Sequence, residues 1–163
     1  MIVGVDPGKS GALALLACPA DQMATVPVGH LLDVMDMPVA GGIIVPGMIV
    51  DWMEQHFPVV SAAVIEDVGA RPGQGVVSMF SFGRSLGVVE GLMAGLGSPL
   101  RYVRPQRWKG DLGLSADKGA ARRRACELWP DRAGLFARVR DDGRAEAALI
   151  GWWWLHHGQS AGR

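Results

Sequence analysis

Cysteine is almost absent, with only Cys18 and Cys126 in 163 residues, and both fall in segments that read as buried strand and helix. One possible pair excludes a disulfide-built scaffold, and free thiols in a reducing, cytoplasmic compartment are expected. Histidine is scarce: His30, His56, His156 and His157 are dispersed or terminal, and no role is assigned to them. Long apolar runs are missing, since a charged residue or a Pro/Gly cluster interrupts each one short of the ~20 residues a bilayer span needs. No membrane partner is therefore expected. Leu15-Leu16-Ala17-Cys18 has the look of a lipoprotein cleavage site, but its apolar stretch is short, and Asp6 and Lys9 replace a cleanly basic leader. Short-period repeats are missing too: the 23 Gly and 10 Pro are scattered between apolar runs, against collagen-like or low-complexity chains.

Net charge is zero, with 16 basic and 16 acidic side chains, yet the balance is uneven along the chain. Residues 1–100 hold three Lys/Arg against nine Asp/Glu, and residues 101–163 hold thirteen against seven. Such a division suits an acidic site beside a basic surface for a polyanion; unrelated solvated faces are the plainer alternative. The length and the 49% hydrophobic content suffice for one core, so a single domain over 1–163 is expected.

Ile2–Asp6 and Ala12–Cys18 are short apolar runs around Asp-Pro-Gly-Lys-Ser-Gly, which predicts an opening hairpin. Leu31–Met37 reads as a third strand, and Ile49, Met53 and Phe57 recur at helical spacing after Pro46. Ala62–Ile65 predicts a strand ending at Glu66, followed by a Gly/Pro-rich loop to Gly75 and a long helix from Val76 to about Leu96. Gly83, Gly87 and Gly91 share one stripe of that helix, suited to close packing on the sheet or a partner subunit. Leu100–Val103 reads as a strand stopped by Pro105, Ser115–Trp129 as a helix capped by Ser115, and about Gly143–His157 as the last helix. The pattern predicts an α/β domain with a mixed sheet covered by helices.

Asp6 and Glu66 each end an apolar strand. On neighbouring strands their carboxylates would project from one edge, a costly arrangement that a divalent cation relieves; each facing water on its own is the alternative. Asp142 and Glu146 lie four apart at the start of an apolar helix and share a face, so four carboxylates can converge; local helix capping is again the alternative. Hard oxygen donors without a Cys/His cluster favour Mg2+ or Mn2+. Two such ions ~3.5–4 Å apart serve phosphodiester hydrolysis, one activating water and one stabilising the leaving oxygen.

Four ordered stretches carry a resemblance: IVGVDPGKSGALAL, VIEDVGARPGQGVVSMFSFGRSLG, PQRWKGDLGLSADKGAARRRACELWP and DDGRAEAALIGWW. Together they resemble the RuvC-type Holliday-junction resolvases, especially the phage and prophage-like branch, over nearly the whole chain. The resemblance implies a ribonuclease H-like fold, a homodimer, divalent-metal-dependent cleavage of branched DNA, and metal ligands at Asp6, Glu66, Asp142 and Glu146. Cellular members place the last two acidic positions three apart, whereas here Gly143 fills that place, leaving Asp142 or Asp141 as the late acid. Lys118 matches a position near the scissile phosphate, and Lys109 lies in the matching Trp-Lys segment. The loop with Arg71 and Gln74, and Met79, Phe80 and Phe82 after it, lies where the family probes the junction centre; for Phe80 and Phe82 a core or dimer role competes. Arg122 heads a fan of three arginines, Arg144 sits between the late carboxylates, and both are candidate DNA contacts. Trp152, Trp153 and Trp154 read as packing and interface residues.

The chain is thus expected to be a structure-selective endodeoxyribonuclease. A non-catalytic branched-DNA-binding module with the same fold is the alternative. A phosphate loop of the actin and sugar-kinase type is a distant third, because that superfamily needs two such domains to enclose ATP.

Overall fold

A computed structural model describes residues 1–18, 27–55, 60–69, 73–117 and 119–158. Its elements run β1 (Ile2–Asp6), β2 (Ala12–Leu16), β3 (Leu31–Asp36), β4 (Val39–Ala40), β5 (Ile43–Ile44), α1 (Pro46–Gln55), β6 (Ala62–Glu66), α2 (Val76–Gly95), β7 (Leu100–Val103), α3 (Pro105–Asp111) and α4 (Ala120–Leu128). Two 3-10 segments, Pro130–Phe136 and Val139–Asp141, lead into α5 (Asp142–His157). The main sheet has the order β3-β2-β1-β6-β7; β1, β2 and β3 pair antiparallel, whereas β1–β6 and β6–β7 are parallel. The expected mixed sheet with helices on its faces is found.

Strand alternation divides the core into two layers. Ile2, Ala14, Leu16 and Val64 pack towards α4 and α5 with Ala125, Ala148 and Trp153. Val3, Val5, Leu13, Leu15 and Ile65 pack on the other face with Ile49 and Met53 of α1 and Val89 and Met93 of α2. Asp6 and Glu66 continue the α5-facing positions of their strands, one step beyond the Val5–Ile65 pair. The side chain of α5 nearest the strand ends is therefore what these carboxylates meet.

Backbone contact fixes the position of α5. A side chain at Gly4 would collide with the Ala147 carbonyl, and Gly151 lies against Gly4 from the helix side. At the helix start, a Cβ on Gly143 would stand 2.5 Å from the Ser10 carbonyl oxygen. The first turn of α5 thus rests directly on the β1–β2 turn.

Four expectations need correction. The segment after β7 is helical, as α3, where only a strand stop at Pro105 was expected; Pro105 opens it and Gly113, at φ 63°, closes it. The helix expected from Ser115 begins only at Ala120, because Gly119 has φ 92°, a left-handed conformation that interrupts a right-handed helix. The glycine stripe of α2 packs on no other described residue, since among these no atom lies within 4 Å of where a Cβ on Gly83, Gly87 or Gly91 would be. By length and composition alone α2 is also long and apolar enough to cross a membrane, at 20 residues with mean hydropathy 1.2, although Arg84 and Glu90 interrupt it. Phe57 lies outside the described residues.

Candidate active site

Asp6 and Glu66 end adjacent parallel strands on the face covered by α5, and Glu66 is only 6% exposed. The Gly8 amide donates to Asp6 Oδ1 at 3.3 Å, so the Asp-Pro-Gly turn folds back on its own carboxylate. Burial, and next the charge of Glu146, push the Asp6 carboxyl up to about 6. Burial pushes Glu66 up to about 7; Glu146 and then Asp6 add to the rise, while the Trp108 hydrogen bond opposes it. Three carboxylates on three elements therefore repel one another in a poorly solvated place.

Helix α3 brings the counterweight. The indole of Trp108, fully buried, donates to Glu66 Oε1 at 3.0 Å. Lys109 Nζ reaches Glu146 Oε1 at 2.7 Å while lying 4.9 Å from the centre of the Trp108 ring. The end of the same helix is tied to α5, because Trp153 Nε1 donates to Asp111 Oδ2 at 2.9 Å. Sequence reasoning found Lys109 but assigned nothing to Trp108. Pro105 and Gly113, which bracket a seven-residue helix, were the available signal.

The four expected acidic positions do not converge. Asp142 shares a cleft with Glu146, Lys109 and Ala120, but its carboxylate, about half exposed, accepts from Arg122 Nε at 2.6 Å. Among the described residues, no three acidic, His or Cys side chains form a ready metal cage. Glu146 and Asp142 are instead each paired locally, with Lys109 and Arg122 respectively. In donor chemistry the group still fits a hard divalent cation. Asp6, Glu66 and Glu146 are oxygen donors whose mutual repulsion such an ion removes.

Asp141, the other late acid, is 1% exposed and turned away into a bidentate pair with Arg138, whose backbone amide also donates to it at 2.8 Å. That pair holds its carboxyl below the usual range, so its charge is already satisfied. Arg144 pairs with Asp36 through one edge of its guanidinium, with Nε at 2.5 Å and Nη2 at 2.6 Å, on the β3 side of α5. Asp67 lies opposite Glu66 along the strand, half exposed and 3.6 Å from Arg104.

The remaining candidates lie elsewhere. Lys118 and Arg71 fall outside the described residues. Gln74 borders an apolar cleft with Val68, Met79, Phe82 and Leu86 at the start of α2, and none of Asp6, Glu66 and Glu146 lines it. Phe80 is 73% exposed, which rules out a core role within this chain. Trp153 is buried as expected for packing, and Trp152 lies against His156 with ring centres 4.1 Å apart.

The strand order and the helices on the sheet's faces are those of the ribonuclease H-like fold. Within it, the chain matches RuvC of Thermus thermophilus in complex with a Holliday junction substrate, at TM-score 0.62 and 18% identity over 98% of this chain and 95% of that one. A second Thermus thermophilus RuvC structure matches at TM-score 0.62, 17% identity and 96% of each chain. Over 100 residues, 60% of the chain, it is 33% identical to the chloroplastic Holliday junction resolvase MOC1 of Chlamydomonas reinhardtii. The chain spans only 11% of that relative's length. No family model matches. The architecture is that of RuvC, and the relative matched in sequence is a Holliday junction resolvase.

Proposed function

We propose that the chain is a structure-selective endodeoxyribonuclease acting on Holliday junctions or other branched DNA, with one nuclease domain over residues 1–163. The observation that carries this is the set of Asp6, Glu66 and Glu146, three mutually repelling carboxylates at one sheet edge with Lys109 beside them, in a RuvC architecture. Those three, with Asp142 from the rim, would hold Mg2+ or Mn2+. Bound there, the metal supplies a water of lowered pKa and polarises the phosphoryl oxygens.

The chain's own residues bind and orient. Trp108 keeps Glu66 turned into the site by its hydrogen bond. Lys109 and Arg122 exchange a carboxylate for a phosphate oxygen when DNA arrives, which frees Glu146 and Asp142 together. Lys118 would lie near the scissile phosphate, as in the family that the motifs resemble. Arg71, Gln74 and Phe80 would approach the branch point, where an exposed ring can stack on an unpaired base. A homodimer would set two such sites on a two-fold substrate, and the exposed glycine stripe of α2, with Val76 and Val77 also uncovered, supports it as the contact.

Incubation with an end-labelled four-way junction or matching duplex tests the proposal, with Mg2+ or EDTA and with an Asp6→Asn variant alongside. Paired nicks near the branch that need both metal and Asp6 are expected. Binding without cleavage in Mg2+ or Mn2+ would instead favour a binding module. The ion pair that holds Asp142 to Arg122 is the observation on that side.

A further inference from the structure

The β1–β2 turn has a second, basic cleft that no motif marks. It is lined by Lys9, Ser10, Gly11, Asp36, Arg138, Arg140 and Arg144. Four cationic side chains face two carboxylates there, and both carboxylates are already engaged. Asp36 takes Nε and Nη2 of Arg144, and Asp141, packed just behind, takes Nε and Nη2 of Arg138. Each guanidinium is held by one edge, with its Nη1 left over. Lys9 and Arg140 are exposed and make no ion pair among the described residues.

The cleft is close to the carboxylate site. Its floor, Ser10–Gly11, is the segment on which Gly143 of α5 rests, and a Cβ on Gly11 would stand 2.8 Å from the Asp6 Cγ. The Lys109 and Arg122 side of the site lies across α5, because residues 142 and 146 share one helix face and residue 144 lies on another. Cationic groups therefore flank the carboxylates on both sides. Forked guanidinium groups pre-set by buried or paired carboxylates suit the oxygens of a phosphate diester more than a single point charge would.

We infer that Lys9, Arg138, Arg140 and Arg144 form a second phosphate-binding cleft, which takes the DNA backbone next to the scissile phosphate on the β3 side of α5. The inference rests on the branched-DNA reading above. Asp36 and Asp141 then act as positioning residues that orient the arginines and do not themselves touch DNA. The sequence hid this cleft, since Lys9 and Arg140 are more than a hundred residues apart and meet only through the packing of α5 on the turn.

The test is the affinity of the full chain for a four-way junction in Ca2+, measured against salt for wild type, Lys9→Ala/Arg140→Ala and an Arg101→Ala control on distant β7. Wild-type cleavage in Mg2+ is run in parallel. Each lost phosphate contact lowers the slope of log affinity against log salt by about 0.9, so the double variant should lose close to two in slope and bind roughly 10- to 100-fold more weakly near 0.1 M salt. The control should keep the wild-type slope. A double variant with the wild-type slope overturns the cleft alone, provided the wild type binds and cuts the junction. A wild type that binds no junction overturns this inference and the nuclease proposal together.

Discussion

Trp108 and Glu66 are joined by a single hydrogen bond of 3.0 Å in a place closed to water, and the indole is the neutral donor among the groups that set the charge of that carboxylate. Trp108→Phe removes the N–H together with the five-membered ring, so it also leaves a small cavity at a fully buried position, and the pH profile is the readout specific to the hydrogen bond. The buried acceptor loses its partner, at a cost of about 1–3 kcal/mol. The Glu66 carboxyl should rise further, because this bond is the larger of the two influences that lower it, ahead of the Lys109 charge. The expected outcome is a lower denaturation midpoint and an acid limb of the cleavage pH profile moved to higher pH; an unchanged limb would refute the orienting role.

Asp6→Asn should abolish cleavage yet stabilise the metal-free protein. The wild-type carboxyl is held at about 6, so near pH 8 it is ionised against burial and against Glu146. The amide has no such charge. A higher melting temperature in EDTA for Asp6→Asn than for wild type is expected, with the order reversed or narrowed in Mg2+, as thermal melts would report.

The pH dependence follows with a definite sign. Folding raises Asp6 from 3.8 to about 6 and Glu66 from 4.5 to about 7. Groups raised in this way contribute stability at low pH that is lost as pH climbs through the folded values. Metal-free protein should therefore lose stability from these two groups between about pH 4 and pH 7. Protons and Mg2+ compete for the same oxygens, so the rise in melting temperature on adding Mg2+ should grow over that window. A rise that shrinks with pH would contradict the metal assignment.

Much of this was legible in the sequence because it is local. The hairpin, the strand ends at Asp6 and Glu66 and the apolar character of α5 follow from neighbouring residues, and the sheet register then puts the two carboxylates side by side. What escaped depends on contacts across the chain. Asp142 looks equivalent to Glu146 on a helix face, and only the approach of α4 shows that Arg122 takes it. α3 is a seven-residue helix, too short for an apolar period to show, although its Pro and Gly ends were visible.

Arg122→Ala discriminates between the roles left to Asp142. Without the guanidinium, a carboxylate about half exposed stays on the rim beside Glu146. Metal affinity measured by calorimetry without DNA should rise, whereas junction affinity should fall and its salt slope should drop by about 0.9. No change in metal affinity would remove Asp142 from the ligand set.

Gly143→Ala places a methyl group 2.5 Å from the Ser10 carbonyl oxygen, where backbone has to yield. Overpacking of this kind costs typically about 1–3 kcal/mol. A lower denaturation midpoint with reduced cleavage is expected, against a near-neutral result for Gly110→Ala, whose Cβ would meet nothing within 4 Å.

The contact between Gly143 and Ser10 also limits the order in which such a chain can change over generations. An aspartate three positions before Glu146 would occupy the place of Gly143, and its Cβ would strike the turn before its carboxylate found any ligand. A lineage that moves its late acid from 142 to 143 must first reshape the Ser10–Gly11 turn. The spacing of the late acids in this chain is thus coupled to how closely one turn approaches one helix, and an aspartate at 143 is expected only together with a different Ser10–Gly11 turn.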